Sequence, residues 1–120
     1  MATLSTHVLD AAEGRPADGV RIRLEQADGM PGDAAASHRA GPVLTADGVT
    51  DADGRVGRLG SDLAPGTYRL TFEVGEYFGR RGTATFYPRV DITFTVTEPD
   101  QHYHVPVLLS PFAYSTYRGS

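Results

Sequence analysis

Short stretches of alternating apolar and polar residues, separated by glycine and proline, constrain this chain more than any other feature of its sequence. Residues 20–24, 68–74 and 92–97 alternate in this way, so each has one apolar and one polar face when extended. The chain contains 14 glycines and 8 prolines, and the pairs Asp53-Gly54 and Pro65-Gly66 are typical of tight turns. This pattern predicts an all-β sandwich of two antiparallel sheets, with about four strands in each.

Other segments have a strand-like composition with less regular alternation: residues 3–9, 43–50, 104–109 and 113–118. Residues 75–81 are predicted as a short helix, and the polar segment 27–41 is predicted as a mobile surface loop. The length of 120 residues and the hydrophobic content of 40% fit one compact domain over residues 1–120.

Composition excludes several classes of protein. The chain has no cysteine, which excludes disulfides and cysteine-based metal sites. Its net charge is -4 and its arginines are scattered, so we expect no nucleic-acid partner. No apolar run approaches the roughly 20 residues needed to span a bilayer, so we expect no membrane association. The first seven residues lack the basic and apolar regions of a secretory signal, and we therefore expect a cytoplasmic protein.

Two histidines near the end of the chain are the first candidates for a functional site. His102 and His104 are two residues apart in a predicted strand, so they face the same side of the sheet and Tyr103 faces the other. Spacing alone leaves two interpretations open: a catalytic histidine, or a two-histidine metal patch or solvated edge. A metal site would need a third ligand. His7, alone in the first predicted strand, would more commonly be structural.

Motifs at both ends of the chain resemble one known family. Residues 4–10 read LSTHVLD, residues 102–111 read HYHVPVLLSP, and residues 117–120 read YRGS. This set is similar to that of the 5-hydroxyisourate hydrolases, the transthyretin-like enzymes of purine breakdown, and the YRGS ending distinguishes them from transthyretin itself. The sequence between these ends, including the Asp-Gly-Arg turn at residues 53–55, is shared with non-catalytic prealbumin-like modules and supports the fold alone. The segment 27–41 looks longer than is usual for the family.

The resemblance implies roles for particular residues. His7 and His104 match the two site histidines of the hydrolases, and either could act as the general base that takes a proton from water. Arg55 matches a substrate-binding arginine, whose guanidinium stays charged and can bind a carbonyl oxygen or an oxyanion. The expected substrate and site contacts at the end of the chain are Tyr117, Arg118, Gly119 and Ser120, with the Ser120 carboxylate as an acceptor that orients a histidine or pairs with an arginine. His102 is given a supporting role.

The implied activity is hydrolysis of 5-hydroxyisourate to 2-oxo-4-hydroxy-4-carboxy-5-ureidoimidazoline, the step that follows urate oxidation. No residue set in the chain demands a metal or an organic cofactor. The family forms homotetramers with sites between dimers, so a homotetramer is expected here. Two alternatives are a transthyretin-like carrier of an aromatic small molecule, without turnover, and a structural sandwich without ligand.

Overall fold

The computed structural model describes residues 2–27, 43–60 and 62–120. Within them the chain forms strands β1 (Thr3–Asp10), β2 (Arg15–Pro16), β3 (Arg21–Gln26), β4 (Val43–Val49), β5 (Arg55–Val56), β6 (Gly66–Phe72), β7 (Val90–Val96), β8 (His102–Ser110) and β9 (Ala113–Thr116), and one helix, α1 (Val74–Arg80). The predicted loop 27–41 lies outside the described residues, apart from Ala27.

Two sheets pack face to face, which confirms the predicted two-sheet sandwich with one short helix. One sheet has the order β2-β1-β8-β9, and β5 pairs with β1 beside β2. The other has the order β4-β3-β6-β7. Alternate side chains of both sheets point inward, and the core includes Leu4, Val8, Leu24, Leu70 and Val107.

The expectation that both sheets are antiparallel throughout is wrong at one pair. β1 and β8 run parallel, with Leu4 opposite Tyr103 and Val8 opposite Val107. Parallel neighbours cannot be joined by a hairpin, and these two strands are far apart in the chain. Alternation specifies which face of a strand is buried but not the direction of its partner, so the sequence pattern carried no signal for this pairing.

The predicted strand 68–74 also ends differently. β6 begins at Gly66 and stops at Phe72, and Val74 becomes the first residue of α1. Val74, Tyr77 and Phe78 are buried, with the spacing that places side chains on one face of a helix. The Tyr77 hydroxyl donates to the buried Asp10 carboxylate at 2.8 Å, which fixes the helix against the end of β1. The described part of the chain contains no helix with the length and hydropathy to cross a bilayer.

Candidate active site

The candidate residues from β1, β5 and β8 meet on the outer face of the β2-β1-β8-β9 sheet. His7 lies on β1 between Arg55 of β5 and Pro106 of β8. His104 lies on β8 opposite Ser5, so His7 and His104 are diagonal neighbours on this face. The predicted group of two histidines and one arginine is therefore brought together by strand register.

Arg55 is positioned by the turn that precedes it. The Asp51 carboxylate accepts hydrogen bonds from the backbone N–H groups of Asp53, at 2.9 Å, and Arg55, at 3.0 Å. Gly54 has a φ of 74°, and a side chain there would collide with the Val8 carbonyl oxygen. Asp51 and the predicted turn glycine, Gly54, thus bring β5 against β1, with Arg55 exposed beside His7.

His102 and His104 face the same side, as predicted, and share one hydroxyl. Ser5 Oγ lies 2.7 Å from His104 Nδ1 and 2.8 Å from His102 Nε2. The second nitrogen of His102, Nδ1, lies 2.6 Å from Thr3 Oγ1. Both ring nitrogens of His102 are therefore engaged, whereas Nε2 of His104 makes no hydrogen bond to any described residue.

The end of the chain returns to this face and packs on His104. The Gly119 N–H donates to the His104 carbonyl at 2.8 Å. A Cβ atom at Gly119 would lie 2.5 Å from Cδ2 of the His104 ring. Only glycine fits there without moving the ring, which explains why the terminal motif has glycine at this position.

A proline explains why Tyr117 leaves the strand. The pairing of β8 with β9 ends at Val107 opposite Thr116 and resumes as a single bridge between His104 and Gly119. Pro106 has no N–H to continue the ladder toward Tyr117, and its carbonyl instead accepts from the Thr116 hydroxyl at 2.8 Å. Tyr117, which is 59% exposed, thereby leaves the ladder and lines a cleft together with His104.

Arg118 lines one cleft with His104 and Tyr117, and its guanidinium is held there by other partners. Its guanidinium lies over the Tyr103 ring, 4.7 Å from the centroid, and donates to Gln101 Oε1 at 3.0 Å. These contacts attach the end of the chain to the start of β8. Ser120 is exposed and makes no hydrogen bond or ion pair with the described residues, so its predicted role as an acceptor stays a prediction.

Burial first, and then the positive charges of Arg55, His7 and His102, lower the pKa of His104 below its ordinary value of 6.5. His104 is therefore neutral, and able to accept a proton, at near-neutral pH.

We expect an NMR titration of the His104 ring to give a pKa below 6.5. Arg55→Met should raise this pKa toward 6.5, because the substitution removes a neighbouring positive charge, whereas Arg55→Lys should keep it low. A wild-type pKa at or above 6.5 would contradict the prediction.

The alternative of a metal patch finds no support in the geometry. Over residues 2–27, 43–60 and 62–120, no three His, Cys, Asp or Glu side chains are grouped to hold a metal ion. The His102 nitrogens are both occupied by hydroxyl groups.

Ser5 and Thr3 contact the site histidines but were not among the predicted site residues. The available signal was their spacing, because Thr3, Ser5 and His7 alternate on one strand and must share a face. Their histidine partners depend on the register of the parallel pair, which the sequence did not reveal.

Together, the two-sheet sandwich and the polar cluster on one outer face define a transthyretin-like protein with histidines and an arginine at its candidate site. The model of the HIUase/Transthyretin family matches residues 4–119. The chain belongs to this family.

Individual relatives agree with this assignment. The 5-hydroxyisourate hydrolase of Caulobacter vibrioides is 45% identical over 125 residues, covering 100% of both chains. The mouse 5-hydroxyisourate hydrolase is 43% identical over 98% of this chain and 94% of its own. Among solved structures, Klebsiella pneumoniae 5-hydroxyisourate hydrolase has a TM-score of 0.82 and 38% identity, covering 100% of both chains. Sea bream transthyretin in complex with thyroxine has a TM-score of 0.83 and 31% identity, covering 97% of this chain and 93% of its own.

Proposed function

We propose that this protein is a hydrolase that converts 5-hydroxyisourate to 2-oxo-4-hydroxy-4-carboxy-5-ureidoimidazoline in urate degradation. Relatives named 5-hydroxyisourate hydrolase match nearly the whole chain. The identity is 45% for the Caulobacter vibrioides protein and 43% for the mouse protein. The observation that carries the proposal is the group of His7, Arg55 and His104 on one sheet face, with Gly119 packed on the His104 ring.

His104 is our candidate for the general base. Its Nε2 atom is the ring nitrogen without a hydrogen bond to the described residues, while Nδ1 is held by Ser5. A neutral imidazole with one accessible nitrogen can take a proton from water, and the hydroxide formed adds to the carbonyl carbon of the substrate. The carbon–nitrogen bond of the ring then breaks, and the departing nitrogen receives a proton.

Arg55 is our candidate for stabilising the oxyanion. Its exposed guanidinium makes no ion pair with the described residues, so its donors are available to substrate oxygens. His7, between Arg55 and β8, is suited to orient the water or the substrate. Tyr117 would border the substrate.

The test is the decay of freshly prepared 5-hydroxyisourate in the near ultraviolet, with and without protein. Because the substrate also decays spontaneously, the rates must be compared at several protein concentrations. We expect acceleration proportional to protein, its loss in Arg55→Gln, and its retention in Arg21→Gln. Arg21 lies on β3 in the other sheet and pairs with Glu76 of α1. A rate independent of wild-type protein would overturn the proposal.

A carrier function is the second candidate, because the chain also resembles sea bream transthyretin in complex with thyroxine. A carrier would bind an aromatic molecule saturably without accelerating 5-hydroxyisourate decay. Calorimetry with thyroxine beside the decay assay separates the two functions.

We also propose a homotetramer with sites between dimers. All four residues of β9, including Tyr114, are exposed at the edge of their sheet, and Leu108, Phe112 and Tyr117 are exposed nearby. Unpaired edges and exposed aromatic side chains are features of surfaces that contact another chain. The cleft of about 350 Å³ that reaches His104 does not extend to His7 or Arg55, so on one chain these two remain on an open face.

A cytoplasmic location remains a prediction.

We expect light scattering to give the mass of about four chains, and activity per chain to fall as the protein is diluted through tetramer dissociation. The physical reason is that a second sheet face is needed to close the site. A fully active monomer would contradict the interfacial site. Undiluted wild-type protein is the control for activity lost by adsorption.

A further inference from the structure

A continuous chain of hydrogen bonds connects His104 with the exposed end of β1. It passes from His104 Nδ1 to Ser5 Oγ at 2.7 Å, from Ser5 Oγ to His102 Nε2 at 2.8 Å, and from His102 Nδ1 to Thr3 Oγ1 at 2.6 Å. The parallel register produces this order, because Thr3 lies opposite His102 and Ser5 lies opposite His104.

The Ser5 hydroxyl couples the proton positions of the two histidines. A serine has one hydroxyl proton, so between two ring nitrogens it donates to one and accepts from the other. In one neutral arrangement, His104 Nδ1–H donates to Ser5, Ser5 donates to His102 Nε2, and His102 Nδ1–H donates to Thr3. His104 Nε2 is then unprotonated. In the other arrangement every bond is reversed, and Nε2 carries a proton.

The two ends of this chain differ in their environment. His104 is partly buried, and burial together with the charges of Arg55 and His7 disfavours its protonated form and lowers its pKa. His102 is exposed to solvent. The chain of hydrogen bonds therefore leads from a partly buried histidine to one that water can reach.

We propose that Ser5 and His102 are positioning residues that relay protons between His104 and solvent during the reaction. The inference rests on the proposed hydrolase function. Water gives a proton to His104 Nε2, and the hydroxide bonds to the substrate carbonyl carbon. The Nδ1 proton of His104 passes to Ser5 Oγ, and the original Ser5 proton passes to His102 Nε2. His102 then passes its Nδ1 proton to Thr3 Oγ1, and Thr3 gives its original hydroxyl proton to water.

This sequence leaves His104 neutral, with a proton on Nε2. That proton goes to the departing ring nitrogen as the carbon–nitrogen bond breaks. In the same step His102 Nδ1 takes a proton from solvent through the Thr3 hydroxyl, His102 Nε2 gives its proton to Ser5, and Ser5 gives its proton to His104 Nδ1. His104 therefore stays neutral, the chain returns to its first arrangement, and no net charge accumulates in the site.

The relay can be tested by measuring kcat of Ser5 variants. Ser5→Ala should lower kcat about 10- to 100-fold with little change in KM, a loss typical of removing the group that orients a functional histidine. Ser5→Thr keeps the hydroxyl and should restore most of kcat. The control is Thr83→Ala, a hydroxyl deletion beyond α1 where the exposed side chain donates to the Arg81 carbonyl. Unchanged kcat in folded Ser5→Ala would overturn the relay.

His102 gives a second, independent arm. Because His102 is exposed, added imidazole should restore turnover in His102→Ala in proportion to its concentration. It should not restore Ser5→Ala, where the missing hydroxyl is partly buried. In mixtures of H2O and D2O, kcat of the wild type should depend nonlinearly on deuterium fraction, and kcat of Ser5→Ala linearly. Linear dependence in both proteins and no imidazole rescue would contradict the relay.

Nitrogen NMR separates this proposal from the hydrolase function. Ser5→Ala should shift the ring nitrogen signals of both His102 and His104, since one hydroxyl couples them. If wild-type protein does not accelerate 5-hydroxyisourate decay, the function is wrong and the relay falls with it, although the coupled shifts would remain. If the wild-type protein turns over 5-hydroxyisourate and the His102 signals do not shift in Ser5→Ala, only the relay is wrong.

Discussion

His104→Asn lowers kcat/KM for 5-hydroxyisourate by about 100-fold or more, the scale expected for loss of a positioned acid–base group. Such a loss corresponds to ~2.7 kcal/mol of transition-state stabilisation. Asparagine has no nitrogen that accepts a proton near neutral pH, and the exposed side of the His104 ring offers the accessible Nε2 atom. Steady-state rates corrected for spontaneous decay measure the effect.

The fold should survive this substitution, because His104 lies on the outer face of β8 and outside the core. Circular dichroism and light scattering on the same sample are the controls. A folded, assembled His104→Asn protein with turnover near that of the wild type would remove His104 from the mechanism. In that case His7 would be the remaining histidine candidate for the base.

Deletion of residues 117–120 removes most activity while the protein stays β-rich. The deletion takes away Tyr117 from the cleft that reaches His104 and Gly119 from the His104 ring, together with the hydrogen bond to the His104 carbonyl. It removes little core packing, because Tyr117, Arg118 and Ser120 are exposed. Rates and circular dichroism of the truncated protein test both halves of this expectation.

A point variant makes the same test at constant length. Gly119→Val introduces a side chain where a Cβ would already lie 2.5 Å from the His104 ring, so the ring or the tail must move. We expect a large loss of activity, whereas Ser115→Gly, on exposed β9, should lose far less. A tag fused after Ser120 should impair activity more than one placed before Met1. Full activity in a folded, tetrameric truncation would refute the role given to this terminus.

The sequence pattern was sufficient for most of the elements, whereas the candidate site residues came from the resemblance to a family. Alternation located β3, β6 and β7, but the short strands β2 and β5 were not predicted. Facing directions were also accessible, because a spacing of two residues puts His102 and His104 on one side of β8. These are local properties, set by a few consecutive residues.

Non-local properties were not accessible. The parallel direction of β1 and β8 is decided by packing across the whole sheet, so the contact of Ser5 with two histidines could not be predicted. Arg118 belongs to a recognisable motif, yet its guanidinium lies over Tyr103 and beside Gln101. Membership in a motif identified the segment but not the direction of this side chain.

Alternate side chains of β1 have different roles, because one set is buried in the core and the other faces outward. Leu4, Thr6 and Val8 are buried inside the sandwich, while Ser5 and His7 face outward on the same strand. Substitutions on the outer face can therefore abolish or alter chemistry without opening the core. A lineage carrying this scaffold can exchange one ligand specificity for another while its folding stability is maintained by a different set of residues, and an engineer can do the same.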